Sequence, residues 1–436
     1  MVPVPTARFV AFAASLSLAV LVVPLAVPWG FVAACVLLGV LGLADTALAV
    51  DPGAIGVERQ ITPTVTLGGE GEVRWRVTNP APRRVRVSLA DELAPSLHAG
   101  ERRFSMTLPP EATLTERTAL RPSRRGRFEL TDLVVRVEGP LGLMARQRAR
   151  VERGQLRVFP PFRSRRQVEL RIEQAQLLEI GLRTARGSGG GTEFDALRDY
   201  TVDDEVRRID WAATARSMRT IVRTYRAERN QQVLVLLDNG RLMAGQVAGV
   251  PRVEWGMDAA MGLTMAASAL GDRCGLVTFD RVVRAVVPPG SGRSQLERVT
   301  GALYDLEPQL VESDYAGAFA ATVARFRRRS LLVLVTELAE EAMSEMLVPA
   351  LPLLLTRHLV IVASVSDADV TSWATVPPHD SAEAYRMAAA TAARARRAQT
   401  ASLLRRMGAT VIDAHPDDLA ARLVDTYFTI KAAGRL

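Results

Sequence analysis

From Val233 to the C-terminus, short apolar runs alternate with helical patterns, and this alternation restricts the fold more than any other feature. Val233–Leu237, Cys274–Phe279, Val282–Val287, Leu331–Thr336, Leu359–Ser364 and Thr410–Ile412 read as strands. Between them, Val253–Leu270, Ser294–Leu306, Glu340–Arg357 and the Ala-rich Ala382–Met407 read as helices, with a last helix from Pro416. Strands that are apolar on both faces and separated by helices imply a mainly parallel sheet covered on both sides. Binding sites in such sheets lie beyond the carboxyl ends of the strands, which puts Asp238 and Glu337 on one rim.

The first fifty residues are of another kind. Phe9–Val27 carries no charge, and a second apolar run, Phe31–Ala44, follows Pro28-Trp29-Gly30. A membrane span needs about 20 apolar residues. The first run meets this; the second does so only if Asp45 sits near an interface and Thr46–Val50 completes the helix. The reading is a transmembrane helical hairpin that turns at Trp29. Arg8 before it and Arg59 after it, with no basic residue at the turn, place both ends in the cytoplasm by the positive-inside rule. Ala47-Leu48-Ala49 also resembles a signal-peptide cleavage site, but the apolar stretch far exceeds a signal sequence's h-region of about 7–15 residues.

Between Ile55 and Pro160 the period changes to two. Val73, Trp75 and Val77 alternate with charged neighbours, as do Val85, Val87 and Leu89, and alternation recurs at Phe104–Leu108 and Leu133–Val137. Gly68-Gly69, Asn79-Pro80, Pro109-Pro110 and Gly139-Pro140 supply turns. This pattern predicts an antiparallel, immunoglobulin-like β-sandwich acting as a spacer or docking module. The domains are thus 1–50, a hairpin; 51–160, a sandwich; 161–230, a linker with a charged block; and 231–436, an α/β domain of Rossmann-like type.

Composition narrows the function. The 436 residues carry a formal charge of +8, nearly all of it Arg, with Lys431 the single lysine. No Arg-rich helix interleaves with stacking aromatics, so nucleic acid is not an expected partner, and a membrane surface fits the charge better. Cys35 and Cys274 fall in an apolar segment and a core strand, so no disulfide is expected. His98, His358, His379 and His415 lack metal-ligand spacing, and no P-loop, HExxH or nucleophile elbow is present. The chain is read as a non-enzyme.

The densest block runs from Gly191 to Glu228. Carboxylates at Glu193, Asp199, Asp203, Asp204, Asp210 and Glu228 mix with Arg198, Arg207, Arg208 and Arg216, and with Tyr200 and Trp211. Alternating charge of this kind forms ion pairs that fix a surface, and the aromatics suit an interface anchor. The competing use is acid–base catalysis by the carboxylates, in a membrane-tethered hydrolase.

Glu193-Phe194, Leu197–Tyr200, Asp203-Asp204, Val206–Trp211, Thr214–Arg216 and Glu228 resemble the signature of the bacterial domain-of-unknown-function family 58. Arg124–Phe128 and Gly139–Leu143 match recurring positions of the same family. The resemblance implies a von Willebrand factor A-like C-terminal domain and association with a MoxR-type AAA+ ATPase. The function it implies is a membrane-anchored adaptor in assembling or remodelling envelope or cofactor-containing complexes. It also implies a metal-ion-dependent adhesion rim, whose first motif is DxSxS. Here Asp238-Asn239-Gly240-Arg241-Leu242 keeps the aspartate and loses both serines. The corresponding ligands are Asp238, Ser313 and Glu337, so the site is degenerate. Mg²⁺ and a bracing role for Asp238 both stand as readings of it.

Overall fold

The computed structural model describes residues 2–22, 27–186, 193–202, 204–226, 230–338 and 343–436. The chain divides into two compact units, Met1–Phe159 and Pro160–Leu436.

The first unit opens with strand β1 (Val2–Pro5) and the helices α1 (Ala7–Val22) and α2 (Val27–Leu48). Within α2, Trp29–Leu48 is a 20-residue stretch of mean hydropathy 2.2, long and apolar enough to cross a membrane. The sequence reading puts the longer span in Phe9–Val27 and a turn at Pro28-Trp29-Gly30; the structure reverses this. Pro28 lies in the first turn of α2, where a missing N–H costs nothing. The helix then continues through Asp45, while α1 has 16 residues.

Asp45 is fully buried, and its carboxylate explains why it is tolerated there. It accepts backbone N–H groups of Leu141 (2.7 Å), Leu143 (2.8 Å) and Met144 (2.7 Å). A Cβ at Gly139 would collide with that carboxylate, so the close approach requires glycine. The same turn accepts the Thr6 hydroxyl on the carbonyls of Gly142 (2.6 Å) and Leu143 (2.9 Å). The start of α1 and the end of α2 are therefore held by one tight turn.

The β strands that follow are β2 (Gly56–Ile61), β3 (Thr64–Thr66), β4 (Gly71–Thr78), β5 (Val85–Asp91), β6 (Arg103–Leu108), β7 (Thr113–Leu120), β8 (Gly126–Glu138) and β9 (Met144–Phe159). One sheet has the order β1-β9-β8-β5-β6, with β3 also on β9; the other has the order β2-β4-β7. Alternate residues of both sheets, among them Val73, Trp75, Val77, Val87, Leu89, Leu133, Val135 and Val158, meet in a single core. Inside it Trp75 Nε1 donates to Asp91 (2.7 Å), and Asp91 also pairs with the buried Arg59 (2.7 Å). Burial raises the Asp91 carboxyl, and Arg59 and Trp75 oppose the shift.

In the second unit, α3 (Arg165–Arg186) occupies part of the stretch that the sequence reading leaves as linker. Its Val168 and Ile172 are core residues. Next come β10 (Glu193–Asp199), α4 (Trp211–Ser217) and β11 (Ile221–Arg226). The main sheet contains β12 (Gln232–Asp238), and a short hairpin, β13 (Gln246–Val247) with β14 (Val250–Pro251), leads into helix α5 (Arg252–Ala269). Strands β15 (Arg273–Phe279) and β16 (Val283–Gly290) precede helices α6 (Arg293–Leu303) and α7 (Tyr315–Arg325). Strands β17 (Leu331–Val335), β18 (Leu359–Val365) and β19 (Thr410–Ala414) complete the sheet, with helices Ala368–Thr375, Ser381–Arg406 and Pro416–Ala432.

The sheet order is β16-β15-β12-β17-β18-β19, parallel throughout except for β16. Val233–Leu237 are all fully buried, as a strand covered on both faces requires. The sheet grows from β12 first to one side and then to the other, so the topological switch lies beyond Asp238. One expected element differs. Glu340–Arg357 is not one helix: among the described residues it comprises short helical pieces at Met343–Leu347, Val348–Ala350 and Pro352–Leu355. Pro349 and Pro352 remove N–H donors and clash with the preceding turn, which breaks the helix.

Candidate functional site

Two groups of residues qualify: the charged block and the sheet rim. In the block, β10 and β11 pair antiparallel, from Glu193 opposite Arg226 to Asp199 opposite Ile221. Asp210 caps α4, accepting the N–H of Ala213 (3.0 Å) and the Arg223 guanidinium (2.8 Å). Helix α4 ends at Met218, which takes the left-handed conformation (φ 56°). Arg198 grips Asp204 with both terminal nitrogens, and Thr201 adds its N–H and hydroxyl, both at 2.8 Å. Glu205 pairs with Arg207 (2.7 Å) and Arg208 (3.3 Å), while Arg219 stands 3.9 Å from Asp199. Arg216 donates to the Ala212 carbonyl (3.2 Å), and Tyr200 is half-buried, its N–H on Thr220.

The hydrogen bonds from Arg198 hold the Asp204 carboxyl at about 2. The Ala213 N–H and Arg223 lower Asp210, and Arg207 lowers Glu205. Such carboxylates stay ionised at neutral pH and are poorly suited to proton exchange there. Several of the block's apolar groups are exposed. Trp211 is 67% exposed, Val202 93%, Val206 63% and Met218 90%. Asp203 and Glu228, both expected to belong to this site, lie outside the described residues; for Glu193 the structure gives the strand register.

At the rim, Asp238 is buried and accepts four donors. Its Oδ1 takes the Ser313 hydroxyl (2.5 Å) and the Gly240 N–H (2.9 Å); its Oδ2 takes the Tyr315 phenol (2.9 Å) and the Thr336 hydroxyl (2.6 Å). Gly240 is obligatory, since a Cβ there would overlap Ser313 Oγ. Burial and the Asp238 charge raise Tyr315 well above the usual phenol range, so it remains a donor.

Glu337 is held apart from this cluster. Arg252 lies 3.1 Å from it, and Arg397 bridges it to Asp413 (2.7 Å), Ser364 (2.7 Å) and the Val365 carbonyl (2.9 Å). Burial alone would lower the Arg397 guanidinium, but its hydrogen bonds to Asp413 and the charges of Glu337 and Asp413 carry it above the usual arginine value. Arg241, beside the rim in sequence, pairs with Glu312 (2.5 Å).

Of the expected metal ligands, Asp238 and Ser313 come together and Glu337 does not join them. Mg²⁺ requires about six hard oxygens, several of them water. Here one carboxylate is saturated by N–H and O–H donors and the other is covered by two guanidinium groups. Among the described residues there is no group of three His, Cys, Asp or Glu able to hold a metal. The donor set does not fit Mg²⁺. Tyr315 and Thr336 adjoin expected ligands in sequence and are recoverable on that ground. Arg252 and Arg397 are far from Glu337 in the chain and carry no local signal.

An uncharacterized protein of Mycobacterium tuberculosis is 29% identical over 151 residues, which are 34% of this chain and 48% of that protein. A Mycobacterium bovis counterpart gives the same values, so the chain spans about half the length of the curated relatives it matches. Among solved structures, the conserved hypothetical protein BatB of Bacteroides thetaiotaomicron has 12% identity and a TM-score of 0.30, over 47% of this chain and 99% of that one. Proximal thread matrix protein 1 of the mussel byssus has 10% identity and a TM-score of 0.26, over 47% and 46%. Residues 196–408, from the charged block to the end of the last long helix before β19, match the family described as "Protein of unknown function DUF58".

Proposed function

We propose that this chain is a membrane-anchored adaptor that presents its second unit to a protein partner in the cytoplasm. In this reading α1 and α2 form a two-span hairpin, the first unit is an immunoglobulin-like sandwich, and the second is a von Willebrand A-like domain. The clasp of Thr6 and Asp45 on one turn supports the hairpin, because it holds both helix ends on the same side. The observation that carries the adaptor role is the exposure of Trp211, Val206, Val202 and Met218 on a module in which Asp199, Asp204, Glu205 and Asp210 are each paired with an arginine of the same module. An exposed aromatic on a braced scaffold is the chemistry of an interface anchor. By family resemblance the partner is a MoxR-type AAA+ ATPase.

The test is capture from membranes of the tagged full chain, with ATP and Mg²⁺ present, beside Trp211→Ala and Val206→Ser. The wild type retains the ATPase, and Trp211→Ala weakens retention about 30-fold, as loss of an interface anchor does. A folded wild type that retains no ATPase under these conditions removes the partner assignment.

A further inference from the structure

The end of α2 is surrounded by arginines. Arg83 donates to the Leu48 carbonyl, Arg146 to that of Ala49 (3.2 Å), and Arg150 to those of Pro52 (3.1 Å) and Gly53. The Leu48 and Ala49 carbonyls lie at the helix end, where intrahelical donors run out, and those of Pro52 and Gly53 lie in the turn that follows. Arg83 and Arg146 thus stand where the apolar helix stops, and Arg150 stands on the turn after it. Of the nearby acids, Asp45 is buried and occupied by backbone N–H groups, while Asp51 is exposed and accepts the Gly53 N–H (2.7 Å).

Beside this cluster lies a cleft of about 260 Å³ lined by Pro3, Leu43, Thr46, Ala47 and Arg146. Leu43, Thr46 and Ala47 are spaced i, i+3, i+4, so they form one wall on α2. That wall continues up the helix through Val40 and Val36, which are exposed, as is Leu43 at 74%. From Val36 to Ala47 the helix rises about 16 Å, roughly one leaflet of a hydrocarbon layer. The opposite face is taken, with Gly42 lying against Phe9 and Met144. An apolar track one leaflet long thus ends in a cleft with a guanidinium at its polar end.

We infer that this cleft binds an anionic phospholipid, its acyl chain along Val36–Val40–Leu43–Ala47 and its phosphate at Arg146, with Arg83 on the adjoining Leu48 carbonyl. The inference rests on the reading of α2 as a membrane span. Basic pockets beside membrane helices bind anionic lipid headgroups, each arginine near the surface contributing about 1 kcal/mol. The bound lipid would fix the height of the first unit at the bilayer surface.

The experiment uses the full chain in nanodiscs made from phosphatidylcholine with or without phosphatidylglycerol, followed by native mass spectrometry of the released protein. Wild type retains phosphatidylglycerol over phosphatidylcholine at least about fivefold. Ala47→Trp fills the cleft without touching a charge and abolishes that preference; Arg146→Gln reduces it about fivefold. Equal retention of the two lipids, or a preference that survives Ala47→Trp, overturns the inference, since general attraction to an anionic surface does not need the cleft. If Arg146→Gln does not fold, Ala47→Trp alone decides. Recovery of the wild type in the soluble fraction after cell breakage refutes the membrane span and the lipid site with it. A chain that stays in the membrane but shows no lipid preference refutes the lipid site alone.

Discussion

Lys431, the single lysine among 55 basic residues, donates to Asp272, which is fully buried and also accepts the Tyr427 phenol at 2.6 Å. Arginine is used everywhere else, so the compact ammonium here answers a tight, largely enclosed site. Lys431→Met leaves Asp272 with a buried, uncompensated charge and is expected to cost about 3–5 kcal/mol. Pairing it with Asp272→Asn is expected to restore most of that loss, because the pair as a whole contributes little net stability. Urea unfolding of the three variants measures the coupling; an additive pair of effects would contradict the assignment. His358 offers a second case. It is buried, neither ring nitrogen has a partner among the described residues, and burial, with Arg357 adding to it, lowers it from 6.5. The unfolded chain therefore takes up a proton first as pH falls below about 6.5, and the folded state loses stability until pH reaches the lowered folded value. Thermal melts between pH 7.5 and 5 should show this decline, and His358→Gln should flatten it.

At the scale of elements, the charged module is held together by pairing more than by packing; in it Ala213 and Val222 are buried. Asp204, held at about 2 against an ordinary 3.8, stabilises the module above pH 4, and the contribution fades as pH falls through that interval. Arg198→Gln removes the largest cause, so the Asp204 carboxyl should titrate most of the way back toward 3.8, as followed by NMR. An unchanged titration would mean that Thr201, not Arg198, sets it. How legible these elements are depends on how local their causes are. Val233–Leu237 predicts β12 within a residue because its burial on both faces is written in five successive apolar side chains. Strand β1 was not legible: four residues, Val-Pro-Val-Pro, form it by pairing with Met144–Gln147 far along the chain. Helix α3 is likewise hidden, since its polar composition shows a core face only once Val168 and Ile172 meet α5. The charged block was legible as a site, and its pairs were not, because spacing does not say which arginine meets which carboxylate. At the rim, Asp238 and Ser313 were legible by motif, whereas the capture of Glu337 by Arg397 depends on how β17, β18 and β19 line up.

For the whole molecule, the consequential residue is Asp45, because it converts a sheet turn into a mount for the helices. A carboxylate near the end of an apolar helix would be costly if unsatisfied, yet this one meets three backbone N–H groups, two from the β8–β9 turn and one from the first residue of β9. The cost and the requirement cancel only when helix and turn are both in place, so α2 and the β8–β9 turn must form together. Asp45→Ala leaves three part-buried donors without their carboxylate, each toward the lower end of about 1–3 kcal/mol. Even at the lower bound this predicts a fall of about 10 °C in the melting of the first unit. The division at Phe159/Pro160 means that the second unit has its own core and should not share the loss. Calorimetry of the full chain in nanodiscs is expected to show two transitions, with Asp45→Ala lowering one and leaving the other in place. Proteolysis within 139–144 should accelerate in parallel. A single transition, or an equal shift of both, would mean that the two units unfold as one body and that the clasp stabilises the whole chain.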